Sequence, residues 1–483
     1  MTEWTVRCLA DVVGGQLLSG QPQAAFSGVS SDTRTLKPGE AFFALRGPNF
    51  DGQDFIETAQ AKGAVVAVVS EPPSKCIRQG NWPVVRVEDT LAALGRFAAW
   101  HRRQMPATVI AITGSAGKTT TKELVAHLLC GFYQGVKAPK SFNNAIGVPL
   151  TLLQMRREDR FAVVEVGTNA FGETAALGAV VQPDIAVVTC IGDAHLERFG
   201  GRWGVAWEKA HLVAAMGASG MAVLNADDQW CRRMVVLSRG RTVTFGFSSR
   251  AQVRAQSVAD CEGGAEFIVD GQRFRSPMSG RHNVLNALAA VAVVRQFGVP
   301  LAEAAVRIST FAPPPMRMQR LRFGTVTVIA DEYNASPTSV AAALAEYRGV
   351  QSNGRKVFVF ADMLELGRHS KALHERVGRW AAYERLDGLW TVGPLARHAA
   401  SAALRRGMAG DAVHSCADTE EACRRIADWV RAKDVILLKG SRGMGLERVV
   451  AAIAAHWGAG QSASVQRQAF FDAFRPASIV PMC

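Results

Sequence analysis

Near residue 110 the chain runs from an apolar segment, Thr108 to Thr113, through Gly114-Ser-Ala-Gly-Lys-Thr-Thr120 into a helical pattern that ends near Leu129. A strand that feeds a helix through so short a glycine loop is an arm of a βαβ unit, which requires a parallel sheet. The loop constrains more than topology. Successive backbone N–H groups and the positive end of the helix face an anion, Lys118 neutralises it, and the Thr119 hydroxyl suits a divalent cation such as Mg²⁺. A nucleoside triphosphate is the expected occupant, with Gly114, Ser115, Ala116, Gly117, Lys118, Thr119 and Thr120 around it. The loop is shorter than the general phosphate-loop spacing, because Ile112 stands five positions before Gly117 where glycine is usual.

The same alternation extends in both directions. Phe161 to Val166, Ile185 to Thr189 and Met221 to Leu224 read as strands, and Val205 to Met216 and Val284 to Phe297 as helices. After Ala312-Pro313-Pro314-Pro315 it resumes with strands Val326 to Ala330, Val357 to Phe360, Gly388 to Val392 and Val435 to Leu438. Before it, short β-rich runs (Ala41 to Leu45, Ala64 to Val69, Val84 to Val87) and an amphipathic helix from Leu91 to Arg103 end at Met105-Pro106. An α/β fold of three units is expected: 1–104, 105–312 with a mainly parallel sheet, and 313–460 as a second, smaller doubly wound unit, followed by a tail at 461–483.

Composition narrows the class. With 48% hydrophobic and 20% charged residues, 483 residues suffice for several ordinary cores. No apolar run reaches the ~18 residues of a membrane span, and no signal peptide precedes the fold, so a cytoplasmic protein without membrane insertion is expected. Nine cysteines lack any C-x-x-C pair and read as reduced thiols. A formal charge of +13 admits polyanions, but the arginines are dispersed, and nucleic acid is not expected as a partner.

In parallel sheets, ligands bind beyond the carboxyl ends of strands. Glu165 stands there, as does His195 in Asp193-Ala-His-Leu-Glu197, and a carboxylate and an imidazole beside a phosphate loop suit Mg²⁺. Asp331, Asp362 and Lys439 follow strands of the third unit in the same way, and a polar set there could close over a nucleotide.

These segments, with Ser141-Phe-Asn-Asn-Ala-Ile-Gly-Val-Pro-Leu150, Gly280-Arg-His-Asn-Val-Leu-Asn286 and Lys439-Gly-Ser-Arg442, resemble the Mur ligases, the ATP-dependent amide ligases of peptidoglycan-precursor assembly. Ser30-Ser-Asp-Thr-Arg34, Ala41 to Gly52, Asp331-Glu-Tyr-Asn-Ala-Ser-Pro337 and Ala361-Asp-Met-Leu-Glu-Leu-Gly367 are most similar to the branch that adds D-alanyl-D-alanine to UDP-N-acetylmuramoyl-tripeptide. The resemblance covers about residues 25–450 and implies an N-terminal uridine-nucleotide unit, a central ATPase unit and a Rossmann-like C-terminal unit that closes on both.

It also implies roles. Lys118, Glu165, His195 and Lys209 form the catalytic set, with Thr119, Glu165, His195 and a carbamylated Lys209 holding Mg²⁺. Asn286, Arg317 and Asp331 join the loop in binding ATP, with Asn283 the alternative to Asn286. Ser31, Asp32, Thr33, Arg34, Arg46, Asn49 and Gly52 face the uridine nucleotide, although turn chemistry alone accounts for these residue types. Asn143, Asn144, Tyr333, Asn334, Asp362, Lys439 and Ser441 face the rest of the substrates, and a monomer is expected. An ordinary helix-surface lysine is the other reading of Lys209. Two departures stand out: Ser336-Pro337 replaces Asn-Pro, and Ala361 replaces a glycine, which matters where positive φ is required. Other ligases of the family, a folylpolyglutamate-type ligase and a nucleic-acid-binding NTPase are the competing functions.

Overall fold

A computed structural model describes residues 3–47, 50–71, 81–261 and 263–458. Three mainly parallel sheets follow one another along the chain. The first has five strands in the order Gln16–Ser19, Val84–Arg86, Val66–Val69, Ala41–Phe43, Val29–Ser30, antiparallel only at its first pair. The helix Thr90–Gln104 leaves it, N-capped by Asp89, and Met105 turns extended before Pro106, as a residue preceding proline must.

The central sheet has seven parallel strands in the order 253–254, 241–246, 221–225, 185–188, 108–113, 161–165, 135–137. Thr108–Thr113 lies in its interior, and successive residues serve opposite faces. Ile110 and Ile112 pack with helices Lys118–Leu129 and Arg281–Val294, whereas Val109 and Ala111 join the core that includes Leu94, Phe97, Val181 and Ala210. Burial on both faces explains why these strands are apolar throughout.

The third sheet orders six strands as 319–323, 326–330, 435–439, 356–361, 388–392, 413–416, with only the first antiparallel. Gln319–Phe323 and the antiparallel sheet 256–261, 264–269, 272–276 carry no apolar run that would have announced them. The expected helices at 205–216 and 284–297 run instead over Arg202–Ala214 and Arg281–Val294, the latter followed by a short 3-10 turn. The tail at 461–483 lies outside the described residues, among which no helix is long and apolar enough to cross a membrane.

Both departures find local explanations. Ser336 caps the helix Pro337–Gly349, its hydroxyl accepting from Ser339 N while the Ser339 hydroxyl accepts from Ser336 N. Ala361 sits within strand Lys356–Ala361, where no positive φ is needed.

Candidate active site

Two glycines let the phosphate loop pass under its neighbours. Gly114 has φ +146° and Gly117 φ +81°; a Cβ would lie 1.9 Å from Thr189 Oγ1 at the first and 2.3 Å from Asn286 Oδ1 at the second. Ser115 is tied to the next strand end, since its hydroxyl accepts from Gly192 N at 2.8 Å. Lys118 donates to Gly114 O at 3.0 Å, folding the ammonium back over the loop. Its enclosure in the cleft pushes the ammonium below its usual pKa, and Glu165 partly offsets that.

The loop forms one wall of a cavity of about 1040 Å³ in which all three units meet. Ser115, Ala116, Gly117, Lys118 and Thr119 line it with Asn143, Asn144, Glu165 and His195; Arg317, Tyr333, Asn334 and Ser441 come from the third unit. Leu91, Gly95 and Arg96 arrive from the first. Within it Thr119 Oγ1 donates to Glu165 Oε2 and Asn143 Nδ2 to Glu165 Oε1, each at 2.8 Å. Arg317, flanked by Met316 and Met318 at positive φ, lays its guanidinium 4.2 Å from the Tyr333 ring centre. Its Nη2 also lies 3.5 Å from Thr119 Oγ1, linking the third unit to the loop.

Lys209 is not a surface lysine. It is 2% exposed on helix Arg202–Ala214, donates to Thr168 Oγ1 at 3.3 Å, and is held down to a pKa of about 7, chiefly by burial and then by the charge on Lys118. An amine with a substantial neutral fraction near pH 7 is nucleophilic enough to take up CO₂.

Other expected residues lie behind the wall. Asn286 supports Gly117 and accepts from Thr121 Oγ1 at 3.3 Å; Asn283 donates to Ser279 O at 2.8 Å. Gly114 and Thr120 also lie behind it, while Asp331 pairs with Lys439 at 2.8 Å.

Two of the expected substrate residues are engaged by the protein itself. Asp362 accepts from the amides of Leu395 (3.0 Å) and Ala396 (2.6 Å), so its carboxylate anchors the next strand-helix turn. Lys439 donates its ammonium to Asp331 O at 3.0 Å and Asn334 O at 2.7 Å, and neither Asp362 nor Lys439 lines the cavity.

The first unit's candidates form a separate set. Asp32 accepts from the Arg34 amide (2.9 Å) and guanidinium (2.6 Å), and the resulting ion pair holds its carboxyl below the usual range. Thr33 O accepts from Lys62 at 2.7 Å, Arg46 pairs with Asp51 at 2.6 Å, and Gly52 abuts the Leu45 backbone. Neither these residues nor Ser31 line the cavity; Asn49 lies outside the described residues. A smaller hollow of about 430 Å³ in this unit, lined by Gln16, Ser70, Arg86 and Glu88, escaped the sequence reading. So did Glu365, whose carboxylate lies 2.5 Å from His195 Nδ1.

Among the described residues no group of three or more His, Cys, Asp and Glu side chains could hold a metal. The hydroxyl of Thr119 and the buried carboxylate of Glu165 nonetheless suit Mg²⁺, which keeps several waters and shares phosphate oxygens instead of demanding a full protein cage.

Three known domain patterns match the chain: "Mur ligase family, catalytic domain" over 25–102, "Mur ligase middle domain" over 112–294 and "Mur ligase, glutamate ligase domain" over 316–442. The UDP-N-acetylmuramoyl-tripeptide–D-alanyl-D-alanine ligase of Bacillus subtilis (strain 168) is 33% identical over 458 residues, 93% of this chain and 98% of its own. A crystal structure of MurF from Acinetobacter baumannii superposes with a TM-score of 0.85 at 30% identity, covering 94% of this chain and 99% of that one. MurF from Thermotoga maritima in complex with ADP gives a TM-score of 0.77 at 27% identity, over 89% and 97% of the two chains.

Proposed function

The chain belongs to the Mur ligase family, and from that premise we propose that it joins D-alanyl-D-alanine to UDP-N-acetylmuramoyl-tripeptide, turning ATP into ADP and phosphate. The observation that carries this reading is the meeting of all three units on one cavity built around the phosphate loop. A ligase with three substrates needs such a meeting point, whereas a simple NTPase does not.

The tripeptide's terminal carboxylate attacks the γ-phosphorus, ADP leaves, and the amine of D-alanyl-D-alanine then attacks the acyl carbon as phosphate departs. Lys118 and the loop amides hold the β- and γ-phosphates and balance charge on the group in transfer. Arg317 approaches the same phosphates from the third unit, as its contact with Thr119 supports. Asn143 and Asn144 lie along the path to the muramoyl group, and Tyr333, Asn334 and Ser441 on the acceptor side. Lys439 and Asp331 position the Tyr333–Asn334 loop, and Asn286 and Asp362 brace the structure around the site.

Thr119, Glu165, His195 and Lys209 as its carbamate would hold Mg²⁺, which supplies neutralisation of phosphate and acyl-phosphate charge when bound. The first unit, 1–104, takes the uridine nucleotide through Ser31, Asp32, Thr33, Arg34, Arg46, Asn49 and Gly52; 105–312 takes ATP and 313–460 the acceptor. The enzyme works as a monomer in the cytoplasm, supplying peptidoglycan synthesis.

The test is phosphate release from ATP with the UDP-tripeptide and the dipeptide added singly and together, with product mass recorded. Release that requires both, with appearance of the UDP-pentapeptide, is expected. Release indifferent to either substrate would overturn the assignment.

A further inference from the structure

His195 reaches the cavity from the central unit, but its own unit does little to orient its ring. The residue is left-handed, φ +53°, at the start of the short helix Leu196–Phe199, and the Phe199 ring stands edge-on 6.4 Å away. The partner of its Nδ1 comes from the third unit: Glu365 Oε2, 2.5 Å away. Glu365 is itself left-handed, φ +63°.

The two segments are joined at further points. Glu365 O accepts from Glu197 N at 3.1 Å, and Gly367, φ +51°, packs so closely that a Cβ would meet Glu197 Cγ at 3.0 Å. On its far side the Glu365 segment is fixed within the third unit, where Leu364 N donates to Ser441 Oγ at 2.9 Å, just beyond strand Val435–Lys439, and Met363 N to His374 Nε2 at 3.0 Å on helix Ser370–Tyr383. The Glu365 carboxylate is thus held at His195 by the third unit.

We propose that Glu365 is a positioning residue for His195, so that docking of the third unit and completion of the phosphate site are one event. The proposal rests on the ligase reading for its kinetic consequences. A central unit without the third would bind nucleotide yet hold His195 unaligned, which guards ATP against hydrolysis before the acceptor side has closed. An imidazole oriented through its Nδ1 presents Nε2 in one direction, the general use of a carboxylate behind a histidine.

The experiment compares Glu365→Ala, Glu365→Gln and Glu365→Asp with the parent enzyme, and combines Glu365→Ala with His195→Ala. For Glu365→Ala, kcat is expected to fall at least 30-fold, with ADP affinity and melting temperature unchanged and part of the rate recovered in Glu365→Asp. Because Glu365 acts through His195, the double variant should match His195→Ala alone. Losses that multiply, a kcat within threefold of the parent, or a rate loss matched by lower melting temperature and ADP affinity would each overturn the proposal. Small-angle scattering with ADP bound gives a readout independent of the reaction: Glu365→Ala should be more extended than the parent. If the parent makes no pentapeptide the ligase reading fails, and scattering still decides this inference, since an equally compact variant would contradict it.

Discussion

The first and central units are both mainly parallel sheets, yet their functional candidates behave differently. Loop residues of the central unit converge with Glu165, His195 and third-unit residues on one cavity, whereas those of the first unit largely satisfy one another. Asp32 is occupied by Arg34, and Arg46 by Asp51 and Glu71. A lysine or carboxylate forced into a buried strand-end loop needs a ligand or a partner unit to complete it, while Ser, Asp, Thr and Arg on an exposed turn complete themselves. Pattern-based assignment of sites is therefore stronger where burial removes the self-satisfying alternative.

The sharpest way to break this contrast is Lys118→Met, expected to lower kcat by about 10³-fold or more while leaving the melting temperature nearly unchanged, since one charge-stabilising contact alone is worth about 10²–10³. Retention of a tenth of the rate in a steady-state assay would remove the loop from the chemistry. Next is Lys209→Arg, which keeps positive charge but cannot form a carbamate; a loss of about 10²-fold is expected, and depletion of bicarbonate should slow the parent and not the variant. In the first unit, Asp32→Ala should raise KM for the UDP-substrate about tenfold with kcat unchanged, the mark of lost uniform binding. An unchanged KM would reduce Asp32 to turn chemistry.

The smallest effect concerns stability. Glu332 is 1% exposed, neither carboxylate oxygen has a partner, and burial raises its pKa to about 8. Its folded value exceeds the unfolded one, so the native state holds a proton the unfolded chain has released; its contribution is present below the ordinary carboxylate range and lost as pH rises through about 8. Glu332→Gln should flatten that decline and be more stable than the parent at pH 9 by upwards of about 1 kcal/mol in denaturant titrations. Parallel pH profiles would contradict the assignment of a buried neutral acid.

What the sequence disclosed follows the same divide. Thr108–Thr113, Val326–Ala330 and Gly388–Val392 were legible to the residue because sheet interiors buried on both faces demand unbroken apolar runs. Gln319–Phe323 was not, because Arg320 and Arg322 turn outward from an edge strand and leave only Leu321 and Phe323 buried. Lys209 was placed by local spacing, but its burial depends on packing that spacing does not encode. Glu365 lay inside a recognised segment and went unremarked, because its partner is 170 residues away and appears only when two units meet. The bonds of Asp362 were hidden for a related reason: it follows a strand as a ligand-binding residue would, and the turn amides it accepts from lie more than 30 residues on.

The central claim, that a carboxylate is phosphorylated in the shared cavity before the amide forms, is tested most directly by the fate of oxygen. With ¹⁸O in both oxygens of the tripeptide's terminal carboxylate, mass spectrometry of the released phosphate should find one ¹⁸O per turnover, carried from the acyl phosphate. Phosphate free of ¹⁸O while the UDP-pentapeptide accumulates would contradict the account.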